Sequence, residues 1–161
     1  MKKNSIKTNA VRLLDKEKVP YELLEYEHGA EAVDGVTVAE RIGRDPKTVF
    51  KTLVTMGKSG GLYVFEIPVA ENLDLKKAAK LCCEKSVEMI PVKDITKWTG
   101  YVRGGCSPLG MKKNYPTYWD ATSEACTTLV VSAGKIGHQI SAAAQDLIRL
   151  TNGTVGDLLL K

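Results

Sequence analysis

Two stretches of the sequence hold the residues most able to do chemistry. Lys51 lies inside the apolar run TVFKTLVTM (residues 48–56), and Cys106 lies inside the glycine-rich loop RGGCSPLG (residues 103–110). A lysine in such a run must reach water, pair with an anion or point into a cleft, because burying an unpaired charge is costly. Lys51 is therefore either an edge-facing lysine that snorkels to solvent or a cation that lines a site, able to bind phosphate or polarise a carbonyl.

The loop around Cys106 offers backbone groups as well as a thiol. Gly104, Gly105 and Gly110 permit backbone angles that other residues avoid, and Pro108 stiffens the turn. Such a loop either forms an ordinary tight connection or aims several N–H groups at one point, as an anion or oxyanion site. The residue types alone leave both interpretations open.

Cys106 has no visible activating partner. A catalytic cysteine needs a base or strongly electropositive surroundings to form a thiolate, and the histidines, His28 and His138, carry no recognisable signature. The four cysteines, at positions 82, 83, 106 and 126, include no C-x-x-C pair, so the common zinc and redox motifs are absent. We expect reduced thiols, no bound metal and no nucleophilic role for Cys106.

The composition sets broad limits on the function. No apolar stretch approaches the roughly 18 residues of a membrane span, and the basic N-terminus lacks the apolar core of a signal peptide. We therefore expect a cytoplasmic protein with no membrane partner. The net charge of +4 permits an anionic partner such as RNA, although a solvated surface with surplus lysine would give the same total. No dinucleotide-binding or Walker A glycine pattern is present.

The pattern of the chain predicts the scaffold that must position these residues. Apolar residues at helical spacing predict helices over residues 8–18, 37–42, 73–84, 92–99 and 142–151, with a capping box at Thr37 and Glu40. β-branched and aromatic runs predict strands over 21–26, 48–56, 62–70, 87–90, 117–120, 127–133 and 138–141, the second and third joined as a hairpin. Because strands and helices are interspersed without regular βαβ alternation, we expect one compact α+β domain over residues 1–161.

Five segments, in their order and rough spacing, resemble a known protein family: TNAVRLLDKEKVPYELLEYEH, TVFKTLV, LDLKKAAK, TGYVRGGCSPLGMKK and VVSAGKIGHQI. The family is that of YbaK/EbsC-type proteins, stand-alone relatives of the bacterial prolyl-tRNA synthetase editing domain. The resemblance implies a mixed, curved, barrel-like sheet with flanking helices, and neither metal nor cofactor. It also implies trans-editing, the hydrolysis of the ester that joins a wrong amino acid to tRNA, typically cysteine on tRNA(Pro).

The resemblance also implies roles for individual residues. Lys51 would be the catalytic residue, acting electrostatically to hold the terminal adenosine or phosphate and the ester. The G-x-x-x-P loop of the family falls on Gly104 to Pro108, whose backbone would meet the aminoacyl group. The positions implied for substrate binding are Tyr26, Thr52, Gly104, Gly105, Cys106, Ser107, Pro108, Ser132, Gly134 and Gln139.

Two positions depart from the family pattern. Many relatives carry isoleucine where this chain has Cys106, which argues against a nucleophilic thiol there. Many also carry aspartate where this chain has Gln139, and an amide can hydrogen-bond but cannot accept a proton at pH 7. The departure at Gln139 leaves open a deacylase of different range, for alanyl- or seryl-tRNA.

The implied mechanism is substrate-assisted. The thiol of a cysteinyl ester would attack its own carbonyl and release tRNA as a thiolactone forms, while loop 104–108 supplies orientation and Lys51 supplies positive charge. The expected partners are the 3′ end of aminoacylated tRNA and prolyl-tRNA synthetase. A non-enzymatic RNA- or synthetase-binding module is a third interpretation, motivated by the mild basicity and by the pair Lys112-Lys113.

Overall fold

Eight β-strands form two sheets in the computed structural model, which describes residues 6–29 and 33–161. The strands are β1 (Tyr21–Glu25), β2 (Phe50–Gly57), β3 (Leu62–Pro68), β4 (Val87–Met89), β5 (Thr117–Asp120), β6 (Thr128–Lys135), β7 (His138–Ala143) and β8 (Thr154–Gly156). The smaller sheet has the order β1-β7-β6, and the larger sheet has the order β4-β2-β3-β5-β8.

The two sheets are joined by an isolated bridge between Val49 and Val130, which places the start of β2 beside β6. The predicted α+β class is confirmed. The expected barrel-like curvature takes the form of two linked sheets with a gap between them, and that gap becomes the site.

Helices flank the sheets at positions close to those predicted. They are α1 (Asn9–Lys16), α2 (Gly35–Ile42), α3 (Leu75–Leu81), α4 (Ile95–Thr99) and α5 (Ala144–Leu150). The observed helices are mostly shorter than the predicted ranges, because neighbouring elements take up the ends. Residues 142–143 extend β7 rather than opening α5, and a 3-10 turn at Val92–Asp94 precedes α4. None of the helices in the described ranges is long and apolar enough to cross a membrane.

Helix α2 begins earlier than the capping-box pattern predicts. Its N-cap is Asp34, whose carboxylate accepts the Thr37 N–H at 3.1 Å and the Thr37 hydroxyl at 2.7 Å. The prediction that Thr37 itself opens the helix is wrong, because Asp34 is at least as good an acceptor and lets Gly35 and Val36 join the first turn. Gly43 ends the helix with φ of +70°, as glycine permits.

Alternate residues of β3 face different layers of the molecule. Phe65 and Ile67 pack with α3 in one buried cluster. Glu66 points to the opposite face, where its cross-strand neighbour Trp119 packs with Phe50, α1 and strands β6 and β7. The larger sheet is thus covered on both faces, and each fully buried large apolar side chain contributes about 1.5–3 kcal/mol to its stability.

The sequence did not predict β8. This strand has three residues and pairs in parallel with β5, from Tyr118 opposite Thr154 to Asp120 opposite Gly156. Its conformation comes from the exposed edge of β5 and not from any strand pattern of its own.

Candidate active site

The site begins with a stretch of β2 whose outer edge has no partner strand among the described residues. Strand β4 pairs with β2 only at Thr55 to Gly57, and the Ile90 N–H extends this ladder to the Val54 C=O at 3.2 Å. At the other end Val49 bridges to β6. The edge between these two points faces the gap between the sheets.

A cavity of about 370 Å³ fills this gap. All six residues from 49 to 54 line it, and we call them the β2 wall. Successive strand side chains point to opposite faces, so six consecutive lining residues mean that the cavity follows the edge of the strand. Its volume lies within the range of small-molecule sites, about 300–1,000 Å³.

The other walls come from several parts of the chain. Arg103, Gly104 and Cys106 form the loop wall, which belongs to the glycine-rich loop. The remaining lining residues lie just after β1, around α2, just after β3, from the end of β4 to the start of α4, and on β6 and β7; they are Tyr26, Val33, Gly35, Val38, Val69, Met89, Ile90, Val92, Ile95, Ser132 and Gln139.

Lys51 lies on the β2 wall and is half-buried. Burial lowers the pKa of its ammonium group, and the nearby Glu71 carboxylate acts against that shift. Of the two sequence interpretations, the position at the cavity fits a cation that lines a site. Among the described residues, Arg103 is the other charged side chain in the lining, and no carboxylate lines the cavity.

Glu66 is a buried acid beside the cavity that the sequence analysis missed. It pairs across the strands with Thr52, and its side chain is wholly inaccessible to solvent. Within the described part of the chain, neither of its carboxyl oxygens has a hydrogen-bond partner of regular geometry, and a weak interaction with the Thr52 hydroxyl only partly offsets the effect of burial on its pKa. Burial raises the pKa of Glu66 well above its usual range, so the carboxyl is neutral where an exposed one would be ionised. The available signal was a lone acid in the apolar run LYVFEIPVA, the counterpart of Lys51 in its own run.

Not all of the predicted loop residues reach the cavity. Gly104 and Cys106 line it, whereas Gly105, Ser107 and Pro108 do not. The Gly105 N–H donates to the Val102 C=O at 3.0 Å, so it is already engaged. Ser107 is wholly buried, and its hydroxyl oxygen accepts the Leu109 N–H at 3.2 Å. These contacts shape the loop, and a substrate-binding role for the three residues stays a prediction.

Cys106 lines the cavity as a protonated thiol. Burial, with a smaller contribution from Glu66, raises the pKa of Cys106 to about 12. Neither His28 nor His138 lines the cavity. The thiol therefore has no histidine base beside it, and burial keeps it protonated even though Lys51 and Arg103 line the same cavity.

Ser132 and Gln139 enter the cavity from one face of the smaller sheet. They are cross-strand partners in β6 and β7, so their side chains lie side by side. Gln139 is nearly buried and presents a neutral amide. Gly134 does not line the cavity; its N–H donates to the Ser132 hydroxyl at 3.1 Å, and a Cβ there would stand 2.7 Å from the Tyr101 ring.

Tyr26 completes this side of the site. It directly follows β1, is buried, and its N–H donates to the Gly137 C=O at 3.0 Å. The cavity thus gathers seven of the eleven predicted positions: Tyr26, Lys51, Thr52, Gly104, Cys106, Ser132 and Gln139.

The arrangement favours binding and charge stabilisation over covalent catalysis. It offers two cations, hydroxyl and amide groups, and strand and loop backbone, while its thiol is protonated. Among the residues that the structure describes, no three His, Cys, Asp or Glu side chains are grouped to hold a metal ion. Preorganised dipoles and cations of this kind stabilise developing negative charge on an acyl or phosphoryl oxygen.

The sequence of the chain is similar to that of known proteins. The family model described as "Aminoacyl-tRNA editing domain" matches residues 30–150. A protein of Enterococcus faecalis named "Putative Cys-tRNA(Pro)/Cys-tRNA(Cys) deacylase EbsC" is 44% identical over 160 residues, which are 99% of this chain and 98% of that protein.

Two solved structures share the fold. One is described as "a putative trans-editing enzyme for prolyl tRNA synthetase" and has a TM-score of 0.82 at 24% identity; the match covers 98% of this chain and 100% of that chain. The other is a hypothetical protein and has a TM-score of 0.85 at 18% identity; the match covers 95% of this chain and 100% of that chain. At these identities the two structures establish the architecture.

Proposed function

The chain belongs to the aminoacyl-tRNA editing domain family, and we propose that it hydrolyses the ester of mischarged aminoacyl-tRNA, with Cys-tRNA(Pro) as its substrate. The observation that carries the proposal is the charge of the cavity, whose lining in residues 6–29 and 33–161 includes Lys51 and Arg103 and no carboxylate. Such a cavity attracts the anionic 3′ end of a tRNA and holds its ester near a cation. The name of the Enterococcus faecalis relative supports cysteine as the acyl group.

Lys51 acts by charge in this proposal. An ester to a ribose hydroxyl is more reactive than an amide, so orientation and electrostatic stabilisation supply much of the required acceleration. A half-buried ammonium group stabilises a developing oxyanion more strongly than an exposed one, because the local dielectric is lower. Gly104 contributes backbone, and Ser132 and Gln139 contribute hydrogen-bonding groups, from the lining of the cavity.

The nucleophile is the thiol of the substrate itself. The cysteinyl sulfur attacks its own carbonyl carbon, a C–S bond forms, the ester C–O bond breaks, and the thiol proton ends on the ribose oxygen. Water then opens the thiolactone to free cysteine. The protonated state of Cys106 fits this route, since the cavity holds no competing thiolate. Proline has no thiol, so correctly charged Pro-tRNA(Pro) resists the reaction.

The first test is the rate of Cys-tRNA(Pro) hydrolysis by the wild type and Lys51→Ala. We expect kcat/KM to fall about 100- to 1,000-fold, the usual loss for one preorganised electrostatic group. Lys58→Ala is the matched control, because Lys58 is exposed in the β2–β3 turn and does not line the cavity. A folded Lys51→Ala enzyme with the wild-type rate would remove Lys51 from the mechanism. A wild type without hydrolytic activity would overturn the proposed function.

Gln139, the neutral amide in the cavity, favours a second range of substrates, in which the acyl group is a small amino acid other than cysteine. An amide stands here where many relatives carry aspartate, so the polar group that meets the acyl moiety differs, and alanyl- or seryl-tRNA become candidate substrates. A panel of charged tRNAs separates the two ranges. Release of cysteine alone excludes the second range, whereas equal hydrolysis of Ser-tRNA(Pro), which has no thiol, excludes substrate assistance.

The proposed reaction also implies a partner and a place. A chain of 161 residues offers little surface for reading tRNA identity, so prolyl-tRNA synthetase is the partner we propose for selecting tRNA(Pro). The reaction would take place in the cytoplasm, where mischarged tRNA must be cleared before it reaches the ribosome. Co-purification and hydrolysis assays with and without the synthetase test the partnership.

A further inference from the structure

The positive charge of the chain is concentrated in one segment beside the site. Residues 93–113, here called the basic segment, contain five basic side chains and one acid, Asp94. This gives +4, equal to the net charge of the whole chain, and leaves 18 basic and 18 acidic residues that balance elsewhere. The five cations are Lys93, Lys97, Arg103, Lys112 and Lys113.

Folding brings this charge to one region of the surface. The Lys112 ammonium donates to the Lys97 C=O at 3.1 Å, and the Lys112 N–H donates to the Thr99 C=O at 3.1 Å, so the loop packs against the end of α4. Lys93 stands four residues before Lys97 on the helical segment that leads into α4, which places both on the same side.

The charges of the basic segment are open to solvent. All five side chains belong to exposed residues, and none forms an ion pair with the described part of the chain. No salt bridge within the described residues neutralises these five cations, whereas five salt bridges occur in other parts of the described chain.

The basic segment is continuous with the cavity. Arg103 lines the cavity, and so do Val92 and Ile95 from the helical segment that carries Lys93 and Lys97. Val92 and Met89 at this rim are exposed, at 54% and 47%. Exposed apolar groups beside unpaired cations suit a ligand with both an apolar base and an anionic phosphate, which is the composition of a nucleotide strand.

We propose that the basic segment binds the phosphate backbone of the tRNA acceptor end, so that the strand passes over α4 and its aminoacylated ribose enters the cavity beside Arg103. The inference rests on the proposed function for the identity of the RNA. Phosphate contacts position a nucleic acid without reading its sequence. The surface therefore supplies affinity and direction, and it leaves tRNA selection to another component.

The decisive variant is Lys93→Gln/Lys97→Gln/Lys113→Gln, which removes three charges and substitutes no residue that lines the cavity. Lys16→Gln/Lys76→Gln/Lys80→Gln is its matched control, because these three exposed lysines lie on α1 and α3, outside the segment, and give the same change in net charge. Thermal unfolding of each protein establishes that it is folded.

We expect the segment variant to raise KM for Cys-tRNA(Pro) at least about tenfold with kcat unchanged, and to reduce the slope of log affinity against log salt by about 0.7 per lost phosphate contact. Hydrolysis of a cysteinyl ester of adenosine, which has no phosphate, should be unaffected. The control variant should change KM by less than about threefold, since its charges lie away from the bound strand. Equal losses in the two variants, or none in the segment variant, would overturn the proposal.

Binding of uncharged acceptor-stem RNA, measured by fluorescence anisotropy, separates this inference from the proposed function. If the wild type binds the RNA, the segment variant does not, and no ester is hydrolysed, the RNA surface stands and the deacylase proposal fails. If esters are hydrolysed while both proteins bind the RNA equally, the deacylase stands and the RNA surface fails. A wild type that does not bind the RNA also refutes the surface.

Discussion

The β2 wall and the loop wall bound the same cavity but are built in different ways. β2 is paired with β3 at seven consecutive positions, which fixes its backbone, so only its side chains can vary what this wall offers to a ligand. The glycine-rich loop is held by side-chain contacts instead, such as the Tyr101 hydroxyl that donates to the Leu109 C=O at 2.6 Å. From this difference we expect side-chain chemistry to decide what the β2 wall contributes to the reaction, and backbone position to decide what the loop wall contributes.

After the loss of Lys51 from the β2 wall, the largest expected effect comes from a change in the loop wall. A Cβ on Gly105 would stand 3.0 Å from the Ile136 nitrogen and 3.2 Å from the Lys135 backbone, which cannot yield as a flexible side chain would. Gly105→Val must therefore push the loop away from the β6–β7 turn and displace Gly104. We expect kcat/KM for Cys-tRNA(Pro) to fall about 100-fold, because a displacement of about 1 Å at a positioning element has that effect.

The matched control for this loop variant is Gly61→Val in the β2–β3 turn. A Cβ at Gly61 meets only ordinary contacts, the nearest at 3.4 Å from the Tyr63 hydroxyl. Deacylation and circular dichroism are measured for both variants. Full activity in a folded Gly105→Val protein would show that the loop wall tolerates a moved backbone, and the contrast between the two walls would then be lost.

The next effect concerns Glu66, behind the β2 wall. Its pKa is raised in the folded protein, so the folded state keeps a proton that the unfolded state releases above the ordinary value of about 4.5. The unfolded state then binds fewer protons, and the free energy of unfolding falls as pH rises, until the folded pKa is passed. The slope is roughly 1 kcal/mol for each pH unit.

Glu66→Gln keeps the shape of the side chain and removes this titration. Urea unfolding at pH 5, 6 and 7 should show the variant gaining stability over the wild type as pH rises. Glu88→Gln, at an exposed position of β4, is the control and should show no such trend. A constant difference between Glu66→Gln and the wild type would mean that Glu66 is not held neutral.

The two walls also differ in how far the sequence predicts them. The β2–β3 hairpin follows from β-branched and aromatic runs on either side of a glycine turn, and the structure confirms it. Lys51 could be singled out because a charge interrupts an apolar run. Glu66 interrupts β3 in the same way, but the apolar run around it predicts only a strand and does not indicate that the acid lies beside the cavity.

The cavity itself could not be predicted from local patterns. It exists because β4 stops pairing at Thr55 while the bridge from Val49 to Val130 begins a second sheet, and both are contacts between distant parts of the chain. The glycine-rich motif likewise predicts a loop of special backbone but not which residues face the site. Whether Gly105 faces a substrate or the turn at Ile136 depends on how the loop packs against the β6–β7 hairpin.

The smallest expected effect is at Cys106, and it tests the contrast most directly. If the loop wall acts through its backbone, the thiol is replaceable, so Cys106→Ile should keep deacylation of Cys-tRNA(Pro) within about threefold of the wild type. Cys106 packs against an apolar cluster that includes Val54, Val64 and Ile90, which accepts another apolar side chain. The larger isoleucine should lower the free energy of unfolding by about 1–3 kcal/mol, the usual cost of overpacking.

Cys106→Ala separates the thiol from its volume. Burial raises the pKa of Cys106 to about 12, so the thiol is protonated at neutral pH. Its removal should therefore cost less activity than the loss of Lys51 or the displacement of Gly105. Activity of the alanine variant with an inactive isoleucine variant would indicate that this part of the wall needs space. Loss of activity in both folded variants would show that the thiol takes part in the reaction, because only the sulfur is absent from both.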